Sequence, residues 1–580
     1  MLGARTAPPT AAETMSHPLT GAQALIRMLQ LHGVRHVFGL CGDTSLPYYD
    51  ALATLPDHGI AHVLTRDERS AAYMADGYAR VSGRPGVCEG PSGGGATYLL
   101  PGLVEANESS VPVLGFTSDV PVASRGRYPL TELDQQRLFA PLTKWNGTVQ
   151  RADTLPHLVR SAFRAMTTGR PGAAHVCLPF DVLKQPVPEA ELWAQPQHAS
   201  WPALRSAPDA ADVERAAERL VAARAPVIVC GGGVVSSGAC EALAALAGSL
   251  DAPVCTTVSG RGSLADTHPL HVGVVGANGG VPATKAVLAQ ADLVLFVACR
   301  VGSTTTEQWQ TPSRSVPVIH VDADAMTIGA NYRTDIGLVG DAKLALQMLA
   351  AAVQARRAHR VAGAVDGRAL AARARADKAA AFNALAAASE RPIRPEVVVQ
   401  ALNRLLPPGA TVVADPGTPC PYLAAYWQQP QAGRHFITNR AQGALGYALS
   451  AGFGAAVGRP GAPVVAVMGD GSFGFTCGEL ETVVRHGVPL KMIVFGNAVY
   501  GWIKASQKAS YGERYFGVDF RAGDHARVAE AFGVKAWRVD DPAQVPATLQ
   551  AALRHDGPAL VDVVSQPLQD SAVPVSTWMG

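Results

Sequence analysis

The stretch at residues 469–497 constrains the fold of this chain most. It reads GDGSFGFTCGELETVVRHGVPLKMIVFGN and follows the apolar run PVVAVM. A short β-branched run that ends at a glycine is typical of a buried parallel strand. We predict a helix at about 477–486 and a second strand at 490–495, which together complete a βαβ unit. Such units build parallel sheets covered by helices on both faces, so the stretch predicts an α/β fold.

Asp470 and Asn497 follow the two strands of this unit. Open α/β sheets bind ligands at the carboxyl ends of their strands, so we expect these side chains to lie side by side. A carboxylate, an amide oxygen and a backbone carbonyl are hard ligands that suit Mg²⁺. Gly469 and Gly471 allow a tight turn and a close approach to a ligand. The alternative is an ordinary βαβ unit in which Asp470 and Asn497 only cap turns.

The order strand, GDGSF, helix, strand, Asn, with Asp470 and Asn497 separated by 27 positions, resembles the thiamine-diphosphate motif. That resemblance implies that Asp470, Asn497 and the carbonyl of Val499 hold the Mg²⁺ that anchors the diphosphate. It also implies phosphate contacts from backbone N–H groups. The family often ends the motif in a double Asn, and Gly496 stands at the first of the two here. The resemblance assigns cofactor contacts in this region to Gly417, Thr418, Gly443, Ala444, Leu445, Gly471, Ser472, Asn497, Val499 and Tyr500.

Alternation of helices and strands elsewhere predicts two more units of the same class, giving three doubly wound parallel-sheet domains. The length of 580 residues allows three or four domains. The predicted divisions are a flexible N-terminal tail at 1–17, a pyrimidine-binding domain at 18–186, a central α/β domain at 205–350, a helical linker at 354–390, a diphosphate-binding domain at 391–566, and a C-terminal tail at 567–580. Met15 is an alternative start.

Across nearly the whole chain after Pro18, the sequence resembles the acetolactate synthase branch of thiamine-diphosphate enzymes. In that family a glutamate of the pyrimidine-binding domain hydrogen-bonds the aminopyrimidine and promotes removal of the thiazolium C2 proton. The matching residue is Glu68, in TRDERSAAYMADGYAR; the alternative is a helix-start glutamate favoured by the helix dipole. Leu445 matches the apolar residue that bends the cofactor, a role compatible with core packing.

The composition excludes several other classes of protein. A net charge of +2 gives no reason to expect binding to nucleic acid or to an anionic membrane. No apolar run reaches the roughly 18 residues of a transmembrane helix. The nine cysteines are scattered without a CxxC pair, and the first residues lack an apolar signal region. We therefore expect reduced thiols and a cytoplasmic protein.

The middle unit contains GGG at residues 231–233, after the predicted strand 226–230. It lacks the spacing and the downstream acidic residue of a dinucleotide fingerprint. The two interpretations are a structural turn and a site for FAD or ADP. A nucleotide-binding regulatory relative without catalysis is the non-enzyme alternative, and Glu68 argues against it. A nicotinamide oxidoreductase is the third interpretation, and the middle unit lacks the GxGxxG sequence that it needs.

Several positions depart from the acetolactate synthase pattern. Leu130 and Thr131 replace a Phe-Gln pair, and Ser118 and Asp119 replace Gly-Gln. An ionised Asp119 would repel a second carboxylate unless it is paired. The sequence therefore predicts a C–C lyase or carboligase acting next to the carbonyl of a 2-oxo acid, a 2-hydroxyacyl compound or an acyloin, with a neutral acceptor or a bulkier acyl substrate. The alternatives are a true acetolactate synthase, a 2-hydroxyacyl-CoA lyase, an oxalyl-CoA-type decarboxylase and a cyclic diketone hydrolase.

The resemblance also implies how the chain assembles. In the family the pyrimidine site of one subunit faces the diphosphate site of another, so Glu68 and Asp470 would come from different subunits. We expect a homodimer or a homotetramer with active sites between subunits. We also expect the C-terminal tail, with Pro574 and Trp578, to close over the substrate entrance.

Overall fold

The computed structural model describes residues 18–571, and within them the strands form three six-stranded parallel sheets and one antiparallel pair. The residues outside this range are 1–17 and 572–580, and the predictions about Met15, Pro574, Trp578 and the first tail therefore lie outside the described residues. The three helix-covered sheets confirm the predicted fold class. Among the described helices, none combines the length and apolar content needed to cross a bilayer.

The first unit has the sheet order β3-β2-β4-β5-β7-β6. Its strands are β1 (Leu19–Thr20), β2 (His36–Gly39), β3 (Ala61–Leu64), β4 (Gly86–Gly90), β5 (Val113–Asp119), β6 (Trp145–Thr148), β7 (Ala174–Pro179) and β8 (Pro186–Val187). Its helices are α1 (Gly21–Leu31), α2 (Leu46–Thr54), α3 (Glu68–Ser82), α4 (Gly94–Tyr98), α5 (Leu100–Glu108), α6 (Gln135–Phe139) and α7 (Leu155–Thr167). Thr20 caps α1 through a reciprocal contact with Gln23, as a capping box requires.

The central unit has the sheet order β11-β10-β9-β12-β13-β14. Its strands are β9 (Pro226–Cys230), β10 (Val254–Thr256), β11 (His271–Val274), β12 (Leu293–Val297), β13 (Val318–Asp322) and β14 (Ile336–Val339). Its helices are α8 (Ala210–Ala222), α9 (Gly232–Ser236), α10 (Cys240–Leu250), α11 (Pro282–Ala289), α12 (Ser303–Thr306) and α13 (Ala342–Ala355), and α14 (Gly367–Ala386) leads to the next unit. Numbered within the unit, the order is 3-2-1-4-5-6, which dinucleotide-binding folds use.

The third unit has the sheet order β16-β15-β17-β18-β20-β19. Its strands are β15 (Thr411–Ala414), β16 (Phe436–Thr438), β17 (Val464–Gly469), β18 (Lys491–Gly496), β19 (Lys535–Val539) and β20 (Ala559–Val564). Its helices are α15 (Pro395–Leu405), α16 (Pro419–Tyr426), α17 (Tyr447–Gly458), α18 (Asp470–Thr476), α19 (Leu480–Arg485), α20 (Gly501–Tyr511), α21 (His525–Ala531) and α22 (Val545–Arg554). When the six strands of each sheet are numbered in chain order, from β2 in the first unit and from β15 in the third, both sheets have the order 2-1-3-4-6-5.

Helices α3 and α17 hold the first and third units together. A Cβ at Gly77 would overlap the Ala451 carbonyl, and a Cβ at Gly454 would overlap the Met74 carbonyl. Because neither glycine has a side chain, the two helix backbones approach directly. One hydrophobic core runs through both units at this crossing. The helix that begins with Glu68 is therefore fixed against the third unit of the same chain.

The structure corrects the predicted helix at 477–486. Helix α18 begins at Asp470 itself, a 3₁₀ turn spans Cys477–Glu479, and α19 begins at Leu480. Gly471 and Gly474 lie inside α18, and glycine lowers helix propensity by about 1 kcal/mol relative to alanine. The start of this helix was therefore hidden from local propensity. Asp470 heads a helix rather than a free turn.

Candidate functional site

Asp470 and Asn497 meet at the carboxyl ends of β17 and β18. The Asp470 Oδ1 atom accepts a hydrogen bond from the Gly471 N–H at 2.8 Å, and Oδ2 accepts from the N–H groups of Asn497 at 2.8 Å and Ala498 at 2.6 Å. Burial raises the pKa of Asp470, while these three amide groups oppose the rise. The carboxylate is thus held beside the Asn497 backbone.

Val499 and Tyr500 continue this loop. Val499 is buried and forms an isolated antiparallel β-bridge with Asp519. The Tyr500 ring lies against Gly471, because a Cβ built on Gly471 would be 2.8 Å from Tyr500 Cε1. Tyr500 also packs on Phe520, with 5.2 Å between ring centroids. Among the described residues, no group of three or more His, Cys, Asp or Glu could hold a metal. A metal here would depend on one carboxylate with amide and carbonyl oxygens, which is the predicted ligand set.

Three glycines leave open space at this edge of the third sheet. Gly417, Gly443 and Gly469 have room for a Cβ with no heavy atom within 4 Å. Gly417 and Gly443 have φ angles of +88° and +67°, which glycine adopts without strain. Together with the fixed Asp470 carboxylate, this open edge fits a diphosphate held through a metal ion.

The remaining predicted contacts lie at the starts of two helices. Thr418 is buried at the N-cap of α16, and Leu445 is half-buried just before α17. The half-buried Ala444 is fixed by its carbonyl, which accepts from Asn439 Nδ2 at 2.5 Å. Ser472 is buried in α18 and its hydroxyl contacts Asp415. Its predicted phosphate contact would therefore use the backbone N–H rather than the hydroxyl.

Glu68 is the first residue of α3 and is only 6% exposed. Its own backbone N–H donates a hydrogen bond to its carboxylate. Burial is the main cause of its raised pKa, and the charges of Asp67 and Glu89 add to the rise. A Cβ at Gly95 would lie 2.8 Å from Oε1, so the GPSGGG segment makes room for the carboxylate. Glu68 is thus buried yet available to a ligand.

Glu479 fixes the start of α3 from the third unit. Its Oε1 accepts from the Arg66 N–H at 2.9 Å, and its Oε2 accepts from Thr482 Oγ1 at 2.6 Å. Arg66 lies two residues before Glu68. Sequence reasoning missed this contact, because Arg66 and Glu479 lie 413 positions apart.

A second buried network ties α3 and α5 to the segment that carries Gly443, Ala444 and Leu445. Asp76 accepts from the Tyr447 hydroxyl at 2.5 Å and from Arg80 Nε at 2.8 Å. Arg80 also pairs with Glu105 at 3.3 Å, and Glu105 accepts from the Gln442 N–H at 2.8 Å. Sequence reasoning missed this network because the partners are far apart in the chain.

The structure changes the interpretation of Asp119. This residue is buried and pairs with Arg125, with 2.9 Å between Nη2 and Oδ2. The pair carries no net charge, so Asp119 adds no net repulsion of a second carboxylate. The same region shows Leu130 88% exposed and Thr131 Oγ1 at 2.6 Å from Ser92 Oγ. The predicted exclusion of an acidic acceptor therefore loses its physical basis.

A cavity of about 540 Å³ opens beside the central sheet. It lies where the loops after β9 and β12 diverge, which is the point at which the strand order reverses. The GGG segment at 231–233 and residues 298–305 line it, together with Asp322 and Arg434. Burial raises the pKa of Asp322 to about 6. Ligand cavities of this size, at this position in an α/β sheet, commonly hold nucleotides.

Comparison with known proteins agrees with this geometry. Three family models match: the N-terminal thiamine pyrophosphate binding domain at residues 19–138, the central domain at 213–349 and the C-terminal thiamine pyrophosphate binding domain at 415–563. The chain belongs to the thiamine pyrophosphate enzyme family. The predictions of this family and of a thiamine-diphosphate-dependent lyase or carboligase are confirmed.

The relatives point to one branch of the family. A probable acetolactate synthase large subunit of Methanocaldococcus jannaschii is 33% identical over 95% of this chain and 93% of its own length. The acetolactate synthase of Mycobacterium bovis is 33% identical over 94% of this chain and 88% of its length. That of Arthrospira platensis is 31% identical over 94% of both. The predicted similarity to the acetolactate synthases is confirmed.

Proposed function

We propose that this enzyme uses thiamine diphosphate and Mg²⁺ to join a 2-oxo acid donor to a carbonyl acceptor. The donor R–CO–COO⁻, the acceptor R′–CO–R″ and one proton give the acyloin R–CO–C(OH)R′R″ and CO₂. The observation that carries this proposal is the Asp470 carboxylate held beside Asn497 at the open edge of the third sheet. The bound cofactor would supply the carbon nucleophile, which no protein side chain provides.

The residues of the third unit would bind the charged end of the cofactor. Asp470, Asn497 and the Val499 carbonyl would bind Mg²⁺, and the Gly471 and Ser472 N–H groups would meet phosphate oxygens. The cofactor contacts assigned to Gly417, Thr418, Gly443, Ala444, Leu445 and Tyr500 belong to the same proposal. The open space at Gly417 and Gly443 supports it.

Glu68 would hold a proton at the pyrimidine end. Burial raises the pKa of its carboxyl group, so Glu68 stays protonated to a higher pH than an ordinary glutamate does. A protonated carboxyl group can donate to a ring nitrogen, and a carboxylate can take the proton back. Leu445 would support the bent shape of the cofactor and keep water from the reacting carbon.

We propose that a second small 2-oxo acid is an accepted acceptor. The neutral Asp119–Arg125 pair supports this, and so do relatives named acetolactate synthase at 31–33% identity. The test reconstitutes the enzyme with thiamine diphosphate and Mg²⁺ and supplies pyruvate alone, pyruvate with aldehydes, and 2-hydroxyacyl-CoA. Acetolactate formed from pyruvate alone, with kcat/KM of about 10⁴ M⁻¹s⁻¹ or more, would support it. Condensation with aldehydes alone, or cleavage of the thioester alone, would contradict it.

We propose a homodimer or homotetramer in which the cofactor lies between subunits. Apolar side chains exposed around the metal loop support this assembly. They are Phe475, Tyr500, Ile503, Phe516 and Phe520. Monomeric proteins rarely expose contiguous apolar surface of this kind, and obligate interfaces bury it. Sedimentation of the fully active enzyme as a monomer would contradict the proposal.

We further propose that the central cavity binds an adenine nucleotide such as FAD or ADP. Its position at the strand-order reversal and its volume of about 540 Å³ support this. Flavin absorption of the purified protein and calorimetric titration with FAD and ADP test it.

The domain divisions at 18–186, 205–350 and 391–566 remain proposals. A cytoplasmic location is also a proposal, and the nine unpaired cysteines support it, because a reducing compartment keeps thiols free.

A further inference from the structure

A buried carboxylate of β20 lies beside the end of β18. Asp562 is 1% exposed, and its Oδ2 atom accepts hydrogen bonds from the His525 N–H at 3.1 Å and from Arg538 Nη1 at 2.9 Å. Its Oδ1 atom lies 3.0 Å from His525 Nδ1. An ionised carboxylate only accepts, so this ring nitrogen is the donor. Three donors, two of them from His525, thus hold both oxygens of Asp562.

The pair of Asp562 and His525 lies directly against Gly496. A Cβ at Gly496 would be 2.9 Å from Asp562 Oδ1 and 3.5 Å from His525 Nδ1. Gly496 is the position at which the sequence departs from the double Asn of the family motif, and a side chain there would overlap the carboxyl group. The next residue is Asn497, whose N–H donates to Asp470 Oδ2 at 2.8 Å. The pair therefore contacts the strand end that leads to a proposed metal ligand.

The same pair contacts the helix that begins at Asp470. Phe473, which is buried in α18, packs its ring edge-to-face on the His525 ring, with 5.5 Å between centroids and 84° between the ring planes. Edge-to-face aromatic contacts favour one relative orientation of the two rings. His525 is the first residue of α21, and its side chain is largely buried. His525 thus lies between the end of β18 and the first turns of α18.

The contacts predict what happens without the imidazole ring. Asp562 Oδ1 would lose its donor, and a buried carboxylate oxygen without a partner is costly. Because Gly496 has no side chain, nothing at that position would hold the carboxyl group in place. We expect the carboxyl group and the end of β18 to shift, and Asn497 to shift with them. Mg²⁺ demands nearly ideal octahedral geometry, so displaced ligands bind it less tightly.

We propose that His525 and Asp562 are positioning residues for the Mg²⁺ site. They hold the end of β18 and the start of α18 in the relative position at which Asp470 and Asn497 bind the metal ion. Neither His525 nor Asp562 contacts the metal ion or the cofactor. This inference rests on the proposed function, and it gives Gly496 a role, because the missing side chain leaves room for the pair.

The substitutions His525→Ala and His525→Asn test the proposal by metal affinity. Alanine removes the donor to Asp562, whereas asparagine keeps an N–H group near the place of Nδ1. Mn²⁺ substitutes for Mg²⁺, and electron paramagnetic resonance measures free Mn²⁺ in the presence of thiamine diphosphate. We expect the Kd of Mn²⁺ to rise about tenfold in His525→Ala, the lower end of the range for residues that orient metal ligands. His525→Asn should recover most of the wild-type affinity.

A matched control separates this effect from a general loss of stability. His32 of α1 is buried in the first unit, where it stacks on Phe163 and lies 2.8 Å from the Met28 carbonyl through Nδ1. His32→Ala therefore removes the same side chain from a comparable packed position away from the metal loop. It should lower the melting temperature and leave the Kd of Mn²⁺ unchanged.

A double-mutant cycle tests the contact at Gly496 independently. Gly496→Ala should weaken Mn²⁺ binding in the wild-type background, because the new methyl group overlaps the Asp562 carboxyl group. It should add little further loss in Asp562→Ala, which lacks that group, so the two losses should not add. Additive losses, unchanged affinity in His525→Ala, or no recovery in His525→Asn would overturn the inference. Wild-type protein that binds neither thiamine diphosphate nor Mn²⁺ would instead refute the proposed function.

Discussion

The first and third units share one strand order but place their acidic residues differently around the glycine that ends the third strand. In the first unit Glu89 precedes Gly90, and its side chain is enclosed by Tyr49 and His62. In the third unit Asp470 follows Gly469, and it begins a helix beside Asn497. One fold therefore offers an enclosed carboxyl group that favours a proton and an edge carboxylate that suits a cation.

The helices after the second strand of each unit extend the comparison. These are α3 in the first unit and α17 in the third, and they pack against each other through Gly77 and Gly454. Helix α3 carries Glu68 at its first residue, while α17 follows Leu445. Equivalent elements thus carry the proposed proton-handling residue in the first unit and the proposed cofactor support in the third.

The largest effect is expected from Asp470→Ala, which removes the only carboxylate among the proposed Mg²⁺ ligands. Without this carboxylate, the remaining proposed ligands are neutral, so affinity for thiamine diphosphate with Mg²⁺ should fall by about a hundredfold or more, or roughly 3 kcal/mol. Calorimetric titration measures this directly. Asp377→Ala, on the exposed face of α14, is the matched control and should bind normally. Cofactor affinity retained in Asp470→Ala would refute the metal assignment.

A smaller loss of activity is expected from Glu68→Gln, which changes the proposed proton-handling residue and leaves the proposed Mg²⁺ ligands intact. Cofactor binding should persist, while C2–H exchange should slow by about a hundredfold, the scale of a group positioned for proton transfer. Proton exchange followed by NMR of the bound cofactor is the measurement. Glu241→Gln, on an exposed position of α10, serves as the control. Exchange at the wild-type rate would remove Glu68 from the mechanism.

The proposed assembly also predicts that each active site combines Glu68 of one subunit with Asp470 of another. Neither Glu68→Gln nor Asp470→Ala should be active alone. Mixed subunits that exchange should recover about a quarter of wild-type activity, because half of the dimers are mixed and each of these has one intact site. Activity after co-expression with two different affinity tags measures this. Purified mixed dimers without any activity would place both residues in the same subunit's site.

The sequence predicts the proposed Mg²⁺ ligands better than it predicts the buried carboxyl group of Glu89. Asp470 and Asn497 follow apolar strands within one short segment, so local patterns bring them together. Glu89 stands in the sequence VCEG without a neighbouring signal, because Gly39, Tyr49 and His62 come from elements distant in the chain. Pairing of Asp119 with Arg125 was likewise hidden, because a loop residue's direction is not fixed by periodicity. Long-range contacts, rather than local propensity, decide these charges.

The smallest expected effect concerns Asp415, the buried residue after the first strand of the third unit. Its carboxyl accepts from the Tyr447 N–H at 2.8 Å, and burial raises its pKa to about 7 from 3.8. Between these values the folded protein binds a proton that the unfolded chain releases. This contribution to stability is therefore present at low pH and is lost as pH rises through about 7, by at most roughly 1.4 kcal/mol per pH unit.

Asp415→Asn removes this titration while keeping an acceptor for the Tyr447 N–H. The melting temperature of the variant relative to wild type should therefore rise as pH increases from about 5 to 8, because only the wild type must ionise a buried group. Thermal unfolding of the apoprotein at several pH values gives this difference. Asp377→Asn, an exposed carboxylate of α14, should show no such trend. A constant difference between Asp415→Asn and wild type would mean that Asp415 is ionised throughout, so that its burial is offset by the hydrogen bonds around Tyr447.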